Sequence, residues 1–198
     1  MIILADNYLL VKGENGYMVK VKLADLGDGT YAHGNVLLGS AVGQSISASQ
    51  TRPNDVLAYN ALDVVGANPA ANITFANVLP TAGGTFVILG ARLRIDRNAI
   101  PAGMSSFRLH LYNAAPTAIA DNAVYNLPAA DRAKYLGYIT LSASLVLGDT
   151  VWLQVSDVNF IGKLAAGSTS LFGILQTVGA FTPTASTVKT VTLNLAAV

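Results

Sequence analysis

Thr85-Phe-Val-Ile-Leu-Gly-Ala-Arg-Leu-Arg-Ile95 decides the fold class. Its second half alternates, with Ala91, Leu93 and Ile95 on one face and Arg92 and Arg94 on the other. That is the period-two pattern of a strand with one side on a core and one on solvent. Its first half, Phe86 to Leu89, is apolar at both parities. Gly90 stands at the change, where a glycine predicts a bulge or bend.

The same grammar extends in both directions. Asn72–Phe75 reads as a short strand. Ser106–Tyr112 places Phe107, Leu109 and Leu111 on one face and Arg108, His110 and Tyr112 on the other. Lys134–Leu141, Thr150–Val155, Leu171–Val178 and Val188–Leu195 continue the series. Turn chemistry separates them at Pro101-Ala-Gly103, Leu147-Gly-Asp149, Ala166-Gly-Ser168 and Thr182-Pro-Thr184. Only Asn126–Lys134 argues for a helix, with Asn126 as cap and Pro128 in the first turn. About eight strands at this spacing predict an all-β, antiparallel β-sandwich of jelly-roll type.

The first 48 residues read differently. Tyr17, Val19, Val21 and Leu23 alternate with Met18, Lys20 and Lys22, a half-solvated strand. Asp28-Gly29 is the hairpin signal, and Thr30–Leu38 is the expected return. Gly39–Ser49 is small, polar and uncharged, and reads as a linker. The expected organisation is an N-terminal arm or β-hairpin with linker over 1–48 and a jelly-roll domain over 49–198.

Composition narrows the function. Charged residues make up 12% of the chain, against roughly 25% in an ordinary soluble domain. Hydrophobic residues make up 52%, yet no segment is long and apolar enough to span a bilayer. The surplus predicts contacts with other chains. A net charge of +1 recruits no nucleic acid or acidic membrane. The absence of cysteine excludes disulfides and thiol chemistry. The N-terminus lacks a basic n-region and Asp6 interrupts its apolar run, so no signal peptide and synthesis in a cytoplasm are expected.

No catalytic constellation emerges, and the expectation is a chain that is no enzyme and needs no metal or cofactor. His33 and His110 lie in separate strands, cannot form a cluster, and read as surface or interface residues. There is no Gly-x-Ser-x-Gly elbow and no Walker loop after Ala82-Gly-Gly84. Glu14 is the single glutamate, and most aspartates sit in turns where they bond local backbone. Trp152 reads as a core residue. Arg92, Arg94 and Arg108 are expected on exposed faces of adjacent strands, as a small basic patch.

Thr51-Arg-Pro-Asn-Asp-Val-Leu-Ala-Tyr-Asn-Ala-Leu-Asp-Val-Val-Gly66 resembles the opening motif of a family of tailed-phage virion proteins. In that family a Thr-Arg-Pro, an Ala-Tyr and an Asp-Val-Val/Ile-Gly recur at this spacing. Phe107–Thr117, Asp121-Asn122, Tyr135-Leu-Gly137 and Gly179–Thr184 are similar to later family segments, and Val21–Tyr31 to segments found ahead of such domains. The resemblance implies a β-jelly-roll decoration or cement protein of a bacteriophage capsid. It implies as partners the major capsid protein and further copies of the chain, as a homotrimer. It supplies no catalytic residues. Pro53 biases Arg52 towards an extended backbone, and Asp63-Val-Val-Gly66 reads as a strand ended by a glycine turn. A carbohydrate- or receptor-binding module of a head fibre or tail is the alternative on the same fold; it requires exposed aromatics on one face.

Overall fold

The computed structural model describes residues 43–142 and 144–198, together with the backbone of four strands ahead of them. Those four belong to one compact unit, Met1–Ser40, and the rest of the chain to a second, Ala41–Val198. In the first unit β1 (Ile3–Leu4), β2 (Tyr8–Lys12), β3 (Met18–Asp25) and β4 (Tyr31–His33) form an antiparallel meander in chain order. The expected hairpin is its last pair, with Asp25 opposite Tyr31. The expected turn at Asp28-Gly29, and Gly34–Leu38 of the return, lie outside the described residues, as do the side chains of His33 and Glu14.

The second unit is built from β5 (Gln44–Thr51), β6 (Asn72–Phe75), β7 (Thr85–Ile95), β8 (Phe107–Tyr112), β9 (Tyr135–Leu141), β10 (Ser144–Leu147), β11 (Thr150–Lys163), β12 (Leu171–Thr177) and β13 (Val188–Ala197). One sheet runs β10-β11-β7-β13-β5 and the other β6-β12-β8-β9. Every pairing is antiparallel. First strand pairs with last, β5 with β13; then β6 with β12, β7 with β11, and β8 with β9. Successive pairs alternate between the sheets. One long hairpin rolled across two sheets in this way is the jelly roll.

The inner faces supply the core. Phe86, Ile88, Leu93, Val151, Leu153 and Leu193 meet Phe75, Phe107, Leu109, Leu111, Leu141 and Leu171, all fully buried. The bulge expected beside Gly90 is present. Gly90 pairs with Asn194 and Ser156, Ile88 pairs with Leu195 and Phe160, and Leu89 between them has no partner on either side. The extra residue switches the inward parity from Phe86 and Ile88 to Ala91, Leu93 and Ile95.

The outer faces of the two sheets differ. That of the β6-β12-β8-β9 sheet carries a second buried cluster, Val64, Ala71, Tyr112 and Ile174, with Tyr125, Leu127 and Phe172 packed on it. The chain's own long connections, 58–71 and 113–134, supply that cover; Ala71 N–H donates to Ile119 and Val64 N–H to Ala123. The outer face of the five-stranded sheet is polar, with Ser45, Ser47, Ser49, Arg94 and Gln154 exposed.

Several expectations are corrected. Gln44–Ser49 is not linker but most of β5, because its serines face outward while Ile46 and Ala48 pack on the core. The helix over Asn126–Lys134 reduces to a single 3-10 turn, Ala129–Asp131. Asp63–Gly66 forms two isolated bridges, Asp63 to Val124 and Val64 to Gln176, rather than a strand. Arg108 lies on β8, in the opposite sheet from Arg92 and Arg94, with its guanidinium over Tyr138. Trp152 points outward from β11 and is only half-buried.

Candidate functional site: a buried arginine lock beneath an apolar loop platform

The residues of the opening motif converge on one another. Pro53 sets Arg52 at the end of β5, and Arg52 N–H donates to Thr187 at 3.0 Å. The Arg52 side chain has no solvent exposure. Its Nε donates to the Tyr59 hydroxyl at 2.9 Å and its Nη2 to the Leu57 carbonyl at 2.9 Å. Nη1 donates to the Asp55 carbonyl, and Nη2 lies 2.7 Å from the Asp55 carboxylate. The Tyr59 hydroxyl donates to Asp121 Oδ1 at 2.6 Å. The same oxygen accepts the Gly66 N–H at 2.8 Å, and Asp121 Oδ2 stands 3.6 Å from Arg52 Nε. A buried guanidinium costs several kcal/mol of desolvation unless its donors are all paired with good geometry. Here they are.

The lock needs a neutral phenol at its centre. Burial, reinforced by the Asp121 carboxylate, holds the Tyr59 hydroxyl well above its ordinary pKa, so it keeps the proton that it donates. Gly66 admits no side chain: a Cβ there meets the Ala71 Cβ at 2.5 Å. Asn122, whose φ is 63°, takes a conformation that asparagine tolerates. With its amide nitrogen facing inward it donates to Asp63 Oδ2 at 3.1 Å and to the Ala58 carbonyl at 3.0 Å.

His110 supports the same region from below. At 5% exposure it is a core residue, which corrects its expected surface position. Its ring stacks on Tyr125 with centroids 3.8 Å apart. Gln176 Nε2 donates to the Leu62 carbonyl at 3.0 Å, which leaves Gln176 Oε1 to accept from His110 Nε2 at 3.0 Å. Nδ1 then accepts from the Tyr135 hydroxyl at 3.0 Å. Burial lowers the imidazole pKa to about 4, with a smaller opposing effect from the Gln176 bond. Asp131 and Asp121, expected among turn aspartates, are buried; Asp131 accepts the Thr117 N–H at 2.7 Å and Lys134 Nζ at 2.8 Å.

Above this network the chain displays apolar side chains. Val56 is 62% exposed, Leu57 61%, Leu62 42% and Val124 69%. Three of them are carried by residues tied to the network: Leu57 by its carbonyl to Arg52, Leu62 by its carbonyl to Gln176, and Val124 by its bridge to Asp63. Leu62 holds φ 72°, a strained conformation for a residue with a branched side chain. The site therefore joins a hydrogen-bonded polar interior to loop segments that expose apolar side chains. Sequence reasoning identified the motif but not this convergence; the signal was an arginine, two aspartates, a tyrosine and a glycine within sixteen residues, Thr51–Gly66. No group of three His, Asp or Glu side chains converges to hold a metal among the described residues.

No protein-family model matches the chain, and no curated protein matches it. Among solved structures it is similar to a chain of "Sacbrood virus of honeybee - expansion state II", at 10% identity over 78% of this chain and 83% of that one, with a TM-score of 0.32. It is similar to a chain of "Sacbrood virus of honeybee", at 11% identity over 99% and 85%, with a TM-score of 0.32. A chain of "Native virion of Kashmir bee virus at acidic pH" matches at 11% identity over 97% and 91%, with a TM-score of 0.28. At these scores the likeness carries no argument about assembly, and the jelly roll rests on the strand order.

Proposed function

We propose that this chain is a virion structural protein that decorates a phage capsid shell and stabilises it as a cement. The observation that carries the reading is the platform. The motif residues that resemble tailed-phage virion proteins bury Arg52 and Tyr59 in one hydrogen-bonded network and expose Val56, Leu57 and Leu62 from the same segment. Pre-organised apolar groups over a fixed backbone are what a partner surface needs to bind without a large ordering cost. On this reading the chain is made in the bacterial cytoplasm and resides on the capsid surface. Its partners are the major capsid protein and two further copies of itself, with no nucleic acid and no membrane. It has no enzymatic role.

A protein that binds only the assembled shell stabilises that shell by mass action. Stripping it from particles is expected to lower the temperature at which the shell opens; an unchanged opening temperature overturns the cement reading. Light scattering of the purified protein is expected to give three times the 20.5 kDa chain mass. A monomer removes the homotrimer from the proposal.

A further inference from the structure

The polar outer face of the five-stranded sheet is a second, separate feature. The registers align it into rungs. Ser47 stands beside Thr192, Arg92 and Gln154; Ser49 stands beside Thr190, Arg94 and Trp152. A groove of about 180 Å³ runs between them, lined by Ser47, Arg92, Arg94, Trp152, Thr190 and Thr192. One water needs about 10–15 Å³ of such space. The hydroxyls are pre-positioned in pairs, Ser47 with Thr192 and Ser49 with Thr190, both at 2.8 Å.

The cations in the groove are under-used. Among the described residues the Arg92 side chain makes no ion pair and no hydrogen bond, and its buried Nε lacks a partner. Its guanidinium lies over the Trp152 ring, 5.5 Å from the centroid. Arg94 pairs with Asp96 at 3.1 Å, but both side chains are nearly half exposed, so the pair is weak and exchangeable. Trp152 is fixed from its other end by Nε1–H donating to Gln154 Oε1 at 3.2 Å. The rungs themselves carry no acid.

We propose that this groove binds an anionic saccharide, a sugar ring bearing a carboxylate or a sulfate. The planar forks of Arg92 and Arg94 suit a planar or tetrahedral oxyanion. The paired hydroxyls and the Gln154 amide suit ring hydroxyls, and the indole offers an apolar surface to the C–H face of the ring. A single-stranded nucleic acid is disfavoured. It calls for a track of several phosphate contacts, and this face offers one unpaired arginine and one paired. The groove is distinct from the Arg52 platform, so its failure leaves the cement reading standing, and the reverse.

Trp152 is the single tryptophan of the chain, so its fluorescence reports this groove alone. The full-length protein would be titrated with oligogalacturonate, with its neutral methyl ester, with a sulfated heparin oligosaccharide and with oligothymidylate. A saturable change with either anionic saccharide is expected, assigning carboxylate or sulfate by which one binds. Binding is expected to weaken about tenfold or more for the methyl ester and for Arg92→Ala. The calorimetric signal of Trp152→Phe checks that heat and fluorescence report one site. The proposal is overturned if neither anionic saccharide saturates at millimolar concentration, if the neutral ester binds as well, or if oligothymidylate binds tighter than both.

Discussion

Arg52 carries a full charge into a place without solvent, and Tyr59, Asp121, Asp55 and the Leu57 carbonyl are what make that tolerable. Removing one partner from a buried charge network costs more than the network contributes, since the remaining charge stays buried and uncompensated. Arg52→Ala is therefore expected to lower unfolding free energy by about 3–5 kcal/mol, measured by urea denaturation; a loss within about 0.5 kcal/mol, typical of a surface change, would show that the lock is not structural. His110 gives a pH signature. Its pKa is lowered to about 4 in the folded chain and returns to about 6.5 on unfolding. Between those values the unfolded chain binds the extra proton, so stability is full above about 6.5 and falls as pH drops towards 4. His110→Gln is expected to flatten that slope in denaturation series across the window. The roles of both residues were poorly legible in sequence. Arg52 and His110 each sit in a polar-looking position of their own segment, and their burial comes from segments far along the chain, around Asp121, Tyr125 and Gln176.

At the scale of elements, strands with one-sided hydrophobic alternation were legible: β6 and β7 fall where their patterns predict, and the bulge falls beside Gly90. β5 was not. Its outward residues are serines, and its inward ones, Ile46 and Ala48, are half-buried at a sheet edge, so composition masks the alternation. The long connections misled differently. Asn126–Lys134 has helical punctuation, but Tyr125 and Leu127 pack on the sheet and hold it as a covering loop. The position of β5 makes a deletion test specific. Removing residues 1–40 is expected to leave the jelly roll folded with a cooperative transition. Extending the deletion to residue 51 removes β5, uncovers the β13 edge and the Arg52 end, and is expected to cost several kcal/mol or abolish folding. Equal stability of the two truncations would show β5 to be dispensable.

At the scale of the molecule, one outer face is covered by the chain's own loops, the other is polar and grooved, and the apolar platform stands over the Arg52 lock. The low charge that marks the sequence fits this layout, since serines and threonines line the polar face and valines and leucines are exposed on the loops. The fold class was legible from alternation alone; the platform was not, because its exposed leucines and valines look like core residues until the loops are placed. The most direct test of the cement account is co-sedimentation of the purified chain with capsid shells stripped of it. The account predicts that the wild-type chain pellets with the shells, while Leu57→Asp combined with Val124→Asp stays folded and remains in the supernatant. A wild-type chain that stays in solution, or a double variant that pellets as well as wild type, would contradict it.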